Sequence, residues 1–380
     1  MSPLPPLLLV PLLLLPAGTS DDVAATVRAK QWQITALNLP EAWRVTRGGG
    51  ALVAVLDTGV DGRHPDLRGA VVEGPDLTGA RRRPQARWGH HGTAMASLIA
   101  GRGHGKENRR GVLGVAPEAE VLSIRVTLEN DDPLRELQRR CAGCAPSTAP
   151  VSDTALARGI RYAADSGADV ISMSLGGGSG TWKGSPAEAE AVRYALAKGS
   201  VLVASSGNDG ASTNRRNYPA AYPGVIAVGA VDRDLRAAGF SNRQDYLSVV
   251  APGTEIVGAD GSASYVIGDG TSPAAAMVAG VAALIRARYP GLAPAQVRRA
   301  LEYGTRRRPG SGHSRSLGHG LADAHRALKA AALLARESPE GASLDAFAAP
   351  QPRAPISRYV TILAMVLLVT AMSIRVIARR

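Results

Sequence analysis

Three short stretches, far apart in the chain, carry residue types that could together perform acyl transfer. They are Val55-Leu56-Asp57-Thr58-Gly59, His91-Gly92-Thr93 and Gly270-Thr271-Ser272. A serine hydroxyl is a weak nucleophile near neutral pH, so an imidazole must take its proton. A carboxylate must then fix the imidazole tautomer and stabilise the imidazolium that forms. Each residue alone has an ordinary reading: Ser272 as a helix N-cap, Asp57 in an Asp-Thr-Gly turn at the end of a strand. Their joint occurrence, each beside glycine and each next to an apolar run, points to chemistry.

The surrounding pattern provides elements to position them. Ala51–Asp57, Val121–Val126, Val170–Leu175, Val201–Ser205 and Val225–Val231 are nearly continuous apolar runs, as expected of strands buried on both faces of a parallel sheet. Helical spacing alternates with them. Asp153–Ser166 carries Leu156, Ile160 and Ala163 and stops at Gly167. Ser185-Pro186-Ala187-Glu188 reads as a capping box with proline at the first helical position, and Gly199 ends that helix. Ser272–Arg288 is an Ala/Val-rich buried helix, and Pro294–Tyr303 a shorter one ending at Gly304. Alternation of this kind predicts an α/β fold, a doubly wound and mostly parallel sheet flanked by helices, as one catalytic domain. Functional groups then belong at the carboxyl ends of strands and the starts of helices, where Asp57, His91 and Ser272 fall.

Composition narrows the partners. The 380 residues include 44 Lys+Arg against 32 Asp+Glu, a net charge of +12. These charges are scattered, and aromatic residues make up only 4 %. A nucleic-acid surface would cluster the charges and interleave aromatics, so no nucleic-acid partner is expected. Attraction of the basic surface to anionic envelope polymers or lipids is a secondary expectation.

The ends differ from the middle. Residues 1–20, dominated by Leu7 to Val10 and Leu12 to Leu15, have the apolar length of a signal peptide. Residues 21–45 form a short N-terminal extension. The catalytic domain is expected over 46–332, then a Pro/Ala-rich spacer over 333–357. Tyr359 to Ile374 is uncharged, and Val376 and Ile377 prolong it, so 358–377 is expected to be a C-terminal transmembrane helix. Arg375, Arg379 and Arg380 follow it, which places the tail 378–380 in the cytoplasm and the catalytic domain outside the cell membrane. Cys141 and Cys144 sit in a Pro/Ser/Thr-rich insertion, favouring an exported loop disulfide over a redox pair between strand and helix. Further ligands for a metal are lacking around them.

From about Trp43 to Ala330 the chain resembles the subtilisin-like serine proteases, the subtilases. The blocks are VLDTGVD with Asp57, HGTAMAS with His91, and GTSPAAAMVAG with Ser272, together with Ser174-Leu175-Gly176 and Ser206-Gly207-Asn208. The extension, terminal anchor and basic tail are most similar to mycosins, the membrane-bound subtilases of actinobacterial type VII secretion. The resemblance implies Ser272 as nucleophile, His91 as general base with His90 on the rim, and Asp57 orienting His91. It implies that Asn208 donates to the oxyanion and that the Ser174-Leu175-Gly176 backbone pairs with an extended peptide. Gly92 is expected to let substrate approach His91. Asp209 and Gly176 to Gly178 would lie near the pocket for the residue before the cut bond. Calcium is common in such proteins, but no ligand cluster in this sequence matches, so no metal or other cofactor is assigned. Pro273 and Ala276 replace the methionine and proline of many subtilases, and Pro273 is expected at the first helical position. Residues 21–45 are too short for a folded inhibitory propeptide, so no such prodomain is expected.

The sequence thus predicts a single-pass, outward-facing serine endopeptidase acting on protein or peptide substrates, in contact with a secretion complex. A subtilase fold retained as a structural component of that complex is the alternative. Aspartic-protease chemistry at Asp57-Thr58-Gly59 is disfavoured, because a second such motif is absent.

Overall fold

The computed structural model describes residues 20–80, 88–134, 154–176 and 184–337. Cys141, Cys144, Gly177, Gly178, both apolar ends and most of the spacer lie outside the described residues. Three helices come first: α1 (Ser20–Lys30), α2 (Gln33–Ala36) and α3 (Leu39–Trp43). There follow β1 (Leu52–Asp57), β2 (Val71–Asp76), α4 (His90–Ala100), β3 (Arg102–His104), β4 (Arg110–Leu113) and β5 (Glu120–Arg125). Then come α5 (Ala155–Asp165), β6 (Val170–Met173), α6 (Pro186–Ala197), β7 (Val201–Ser205), β8 (Ile226–Val231) and β9 (Leu247–Pro252). The last elements are β10 (Ile256–Asp260), β11 (Ser264–Gly268), α7 (Thr271–Arg288), α8 (Pro294–Tyr303) and α9 (Ala324–Glu337).

Seven strands form one sheet in the order β2-β5-β1-β6-β7-β8-β9, and every pairing in it is parallel. Side chains alternate between its two faces. Val53, Val55, Val170, Val201, Val203, Ile226 and Val228 pack with α4 and α7 on one side. Ala54, Leu56, Ile171, Met173, Leu202 and Ala204 pack with α5 and α6 on the other. A strand covered twice must be apolar at successive positions, which is why the runs in the sequence are continuous. From β1 the chain order runs one way through β5 to β2 and the other way through β6 to β9, so a crevice opens at the carboxyl ends beside β1.

Helix α7 is buried nearly all round and crosses behind β6, β7 and β8, which explains its lack of a polar face. Its first residue is Thr271, so Pro273 stands at the third helical position. Its missing N–H is still one of the four that have no intrahelical acceptor. At α6, Ser185 Oγ accepts from Glu188 N–H at 3.1 Å as predicted, but the reciprocal half of the capping box is absent. The Glu188 carboxylate accepts instead from Tyr222 at 3.0 Å and from Thr154 at 3.2 Å, joining the starts of α5 and α6. Strands β2 and β9 and the β10–β11 hairpin have no counterpart among the sequence-derived elements. In β2 the pattern is broken by Gly74-Pro75, tolerated because it is an edge strand.

Both boundaries of the packed domain extend past the sequence pattern. Leu37 and Leu39, fully buried in the main core, belong to the extension, and Trp43 donates from Nε1 to Val115 O at 2.8 Å. At the other end α9 runs to Glu337 with Leu334 buried. Among the described residues no helix is long and apolar enough to cross a membrane. If residues 20–45 are part of the core, Leu37→Ala should destabilise the protein by roughly 2–5 kcal/mol, measured by urea unfolding. A loss below about 0.5 kcal/mol, typical of surface positions, would mean that the extension merely lies on the surface.

Candidate active site

At the end of β1 the Asp57 carboxylate is almost fully buried. Its Oδ1 accepts from the Thr58 N–H at 2.7 Å and lies 2.7 Å from His91 Nδ1. The contact with His91 depends on an unusually close approach. Gly92, in the first turn of α4, sits over the turn after β1, and a Cβ on it would lie 2.0 Å from Gly59 O. Gly59 itself has φ of +101°, a left-handed conformation that disfavours any side chain. Gly92 is buried, so its role is to admit α4 against β1, not to admit substrate as the sequence suggested. Two threonines stitch the contact: Gly92 N–H donates to Thr58 Oγ1 at 3.0 Å, and Asp61 N–H to Thr93 Oγ1 at 2.8 Å.

His90 and His91 have different partners. His90 Nδ1 lies 2.5 Å from Asp260 Oδ1 at the end of β10, and His90 does not line the cleft. The backbone N–H of His91 donates to Glu129 Oε1 at 3.2 Å. Glu129, buried in the loop after β5, therefore caps a backbone N–H in the first turn of α4. No motif in the sequence pointed to it.

Ser272 opens the opposite wall, in the first turn of α7. Its hydroxyl donates to Ser174 O at 3.1 Å, while Ser174 Oγ donates to Ser272 O at 2.9 Å. Asn208, at the carboxyl end of β7, is oriented by Thr271. Its Oδ1 accepts from both Thr271 N–H and Thr271 Oγ1, each at 2.8 Å. That leaves the Nδ2 group on the cleft side, near Gly270. Thr271 Oγ1 also accepts from Gly207 N–H at 3.2 Å, so one hydroxyl fixes both residues. Asp57, His91, Ser272, Asn208 and the Ser174-Leu175-Gly176 strip thus line one cleft of ≈ 350 Å³.

Two further residues shape that cleft. Asn217 backs Gly176 so tightly that a Cβ there would lie 2.2 Å from Asn217 Nδ2, which in turn donates to Ser205 O at 2.9 Å. Asp209 is ionised at neutral pH. Burial opposes its charge, but hydrogen bonds involving Thr213, Asn242 and the Arg215 backbone hold its carboxyl below the usual carboxylate range. Because its folded pKa is depressed, the stability it adds is present above the unfolded value and lost as pH falls through the folded one.

Residues 48–320 match the model of the Subtilase family. The chain belongs to the subtilase family. Thermitase of Thermoactinomyces vulgaris is 38 % identical over 274 residues, covering 72 % of this chain and 88 % of thermitase. The crystal structure of fervidolysin from Fervidobacterium pennivorans, a keratinolytic enzyme related to subtilisin, superposes with a TM-score of 0.67 at 32 % identity. It covers 82 % of this chain and 47 % of that one. A structure of the serine protease MycP1, described as an essential component of the type VII (ESX-1) secretion system, gives a TM-score of 0.63 at 30 % identity. The match covers 83 % of this chain and 90 % of MycP1. The chain is therefore a subtilisin-like serine protease, and mycosins are among its structural neighbours.

Thr271 generates a separable prediction. Thr271→Val, which keeps the shape and removes the hydroxyl, should lower kcat about 10- to 100-fold with little change in KM, while Thr271→Ser stays near wild type. Steady-state kinetics on a peptide p-nitroanilide would check this. A change confined to KM would mean that Thr271 does not act through Asn208.

Proposed function

We propose that this subtilase is an endopeptidase that cleaves peptide bonds through Asp57, His91 and Ser272, anchored at the outer face of the cell membrane by residues 358–377. The observation that carries the catalytic part is the Asp57 Oδ1 to His91 Nδ1 contact of 2.7 Å in the cleft that Ser272 and Asn208 also line. With peptide bound along Ser174-Leu175-Gly176 as an added strand, the Ser272 hydroxyl turns from Ser174 O toward His91. Oγ attacks the scissile carbonyl carbon as its proton passes to His91, and the carbonyl oxygen takes the negative charge. The Asn208 Nδ2–H and the Ser272 N–H at the positive end of α7 donate to that oxyanion. His91 returns the proton to the leaving amine, leaving an acyl-enzyme. Water, deprotonated by His91, then hydrolyses the ester and frees the acid. Loss of the comparable asparagine donor in subtilisin costs roughly 100- to 1000-fold in kcat, which sets the scale expected for Asn208→Ala.

Asp209 and Glu129 give the cleft two acidic side chains, which supports a mild preference for basic residues flanking the cut bond. None of residues 20–45 lines the cleft, and Leu37, Leu39 and Ala42 join the core. This supports an extension that stays attached in the active enzyme instead of an inhibitory prodomain. A place in a secretion complex is supported by the likeness to MycP1, and catalysis there could be secondary to a structural duty.

A fluorophosphonate probe should label the wild-type protein and leave Ser272→Ala and His91→Ala unlabelled, with all three folded by circular dichroism. Labelling of Ser272→Ala would sink the assignment. The anchor is tested separately: a chain ending at Glu337 should appear in the soluble fraction, whereas the full chain should stay in the membrane pellet through a carbonate wash. Full-length protein released by carbonate would exclude a spanning helix.

A further inference from the structure

The β3–β4 hairpin is folded around a cation that belongs to the chain itself. Gly103, Gly105, Glu107, Asn108 and Gly111 all have left-handed φ values, between +54° and +74°. For Glu107 and Asn108, which carry side chains, this backbone is costly and needs compensation. In this loop the carbonyls of Asn108, Arg110 and Gly111 converge on the guanidinium of Arg28 from α1. Arg28 Nε donates to Gly111 O at 2.9 Å, and Nη2 donates to Asn108 O at 3.1 Å and Arg110 O at 3.3 Å. A carboxylate completes the set. Asp66 is fully buried, lies 2.6 Å from His104 Nδ1, accepts from Val112 N–H at 2.7 Å, and bonds to Tyr265. Burial lowers the guanidinium's affinity for its proton, and the nearby Asp66 charge offsets part of that effect.

The cradle has no spare room. A Cβ on Gly103 would lie 2.5 Å from Arg28 Nη2, and one on Gly111 would overlap the Asp66 carboxylate at 2.0 Å. Three carbonyl oxygens of one loop and a buried carboxylate are the donors that hard divalent cations such as calcium take. Calcium is common among subtilases, yet calcium does not fit these donors while Arg28 holds them. Gln31 fastens the same hairpin one turn further on, with Nε2 donating to Leu113 O at 3.0 Å and Oε1 accepting from Leu113 N–H at 2.9 Å.

We propose that Arg28 is a built-in cation occupying a hard-cation site formed by the β3–β4 carbonyls and Asp66, so that the N-terminal helix, in place of calcium, closes this part of the domain. The inference does not rest on the catalytic reading.

The test compares the full-length wild type with Arg28→Ala and Arg28→Lys, each stripped of metal. Melting temperatures are read in chelator, calcium chloride and magnesium chloride, and calcium stoichiometry by equilibrium dialysis. In chelator, Arg28→Ala should melt about 5 °C below wild type. Calcium should recover most of that loss and magnesium should not, because magnesium dehydrates reluctantly. The variant should bind one calcium more per chain than wild type, while Arg28→Lys should show neither change. An Arg28→Ala protein as stable as wild type would overturn the proposal. So would one that is destabilised but gains no calcium, since packing alone would then explain the arginine. A variant that fails to fold even in calcium overturns it too, because a cation site should be reloadable.

Discussion

The separation between Gly92 and Gly59 O governs the assembly of this site. With a Cβ at Gly92 the approach would be 2.0 Å, so α4 could not seat against the turn after β1. An α4 displaced outward would carry His91 away from the buried Asp57 carboxylate, whose 2.7 Å contact with Nδ1 depends on this seating. The Gly59 turn, the Thr58 and Thr93 hydroxyls and the first turn of α4 therefore form one unit. Their positions are fixed by excluded volume and by hydrogen bonds made within that contact.

Around that contact the cleft collects charge from the ends of elements. The starts of α4 and α7 bring partial positive charge to opposite walls. Against them stand buried or half-buried carboxylates: Asp57 under His91, Glu129 at the His91 amide, and Asp209 beside Asn208. This arrangement matches the charges that the proposed acyl transfer would develop, an imidazolium on one side and an oxyanion on the other. Thr271 is the link between wall and helix, since its hydroxyl sets the Asn208 amide in the first turn of α7.

The same use of internal charge recurs at the far end of α4. There the β3–β4 hairpin takes a strained backbone, and the N-terminal extension returns a guanidinium to its carbonyls. Together with Leu37, Leu39 and the Trp43 indole, this makes the extension part of the domain's structure. A stretch that reads as a short appendage in one dimension is a clamp in three.

The sequence by itself determined the α/β class, the strands β1, β5, β6, β7 and β8 and the helices α5 to α8, and its resemblance to the subtilases singled out Asp57, His91, Ser272 and Asn208 as candidates. It could do so because strands buried on both faces must be continuously apolar, and because short polar, glycine-containing blocks at the ends of strands and starts of helices stand out against such runs. Edge strand β2 carried no such run, since only one side of it is paired. Tertiary structure alone decided the roles of Glu129, Thr271, Asn217 and Arg28. Each acts through a partner tens to hundreds of positions away, as when Arg28 meets Gly111 or Asn208 meets Thr271. It also reversed the reading of Gly92, from an opening for substrate to a helix contact. A side chain's neighbours along the chain constrain its local backbone, whereas its neighbours in space set its charge, orientation and chemistry, and those exist only once the sheet has brought the strand ends together.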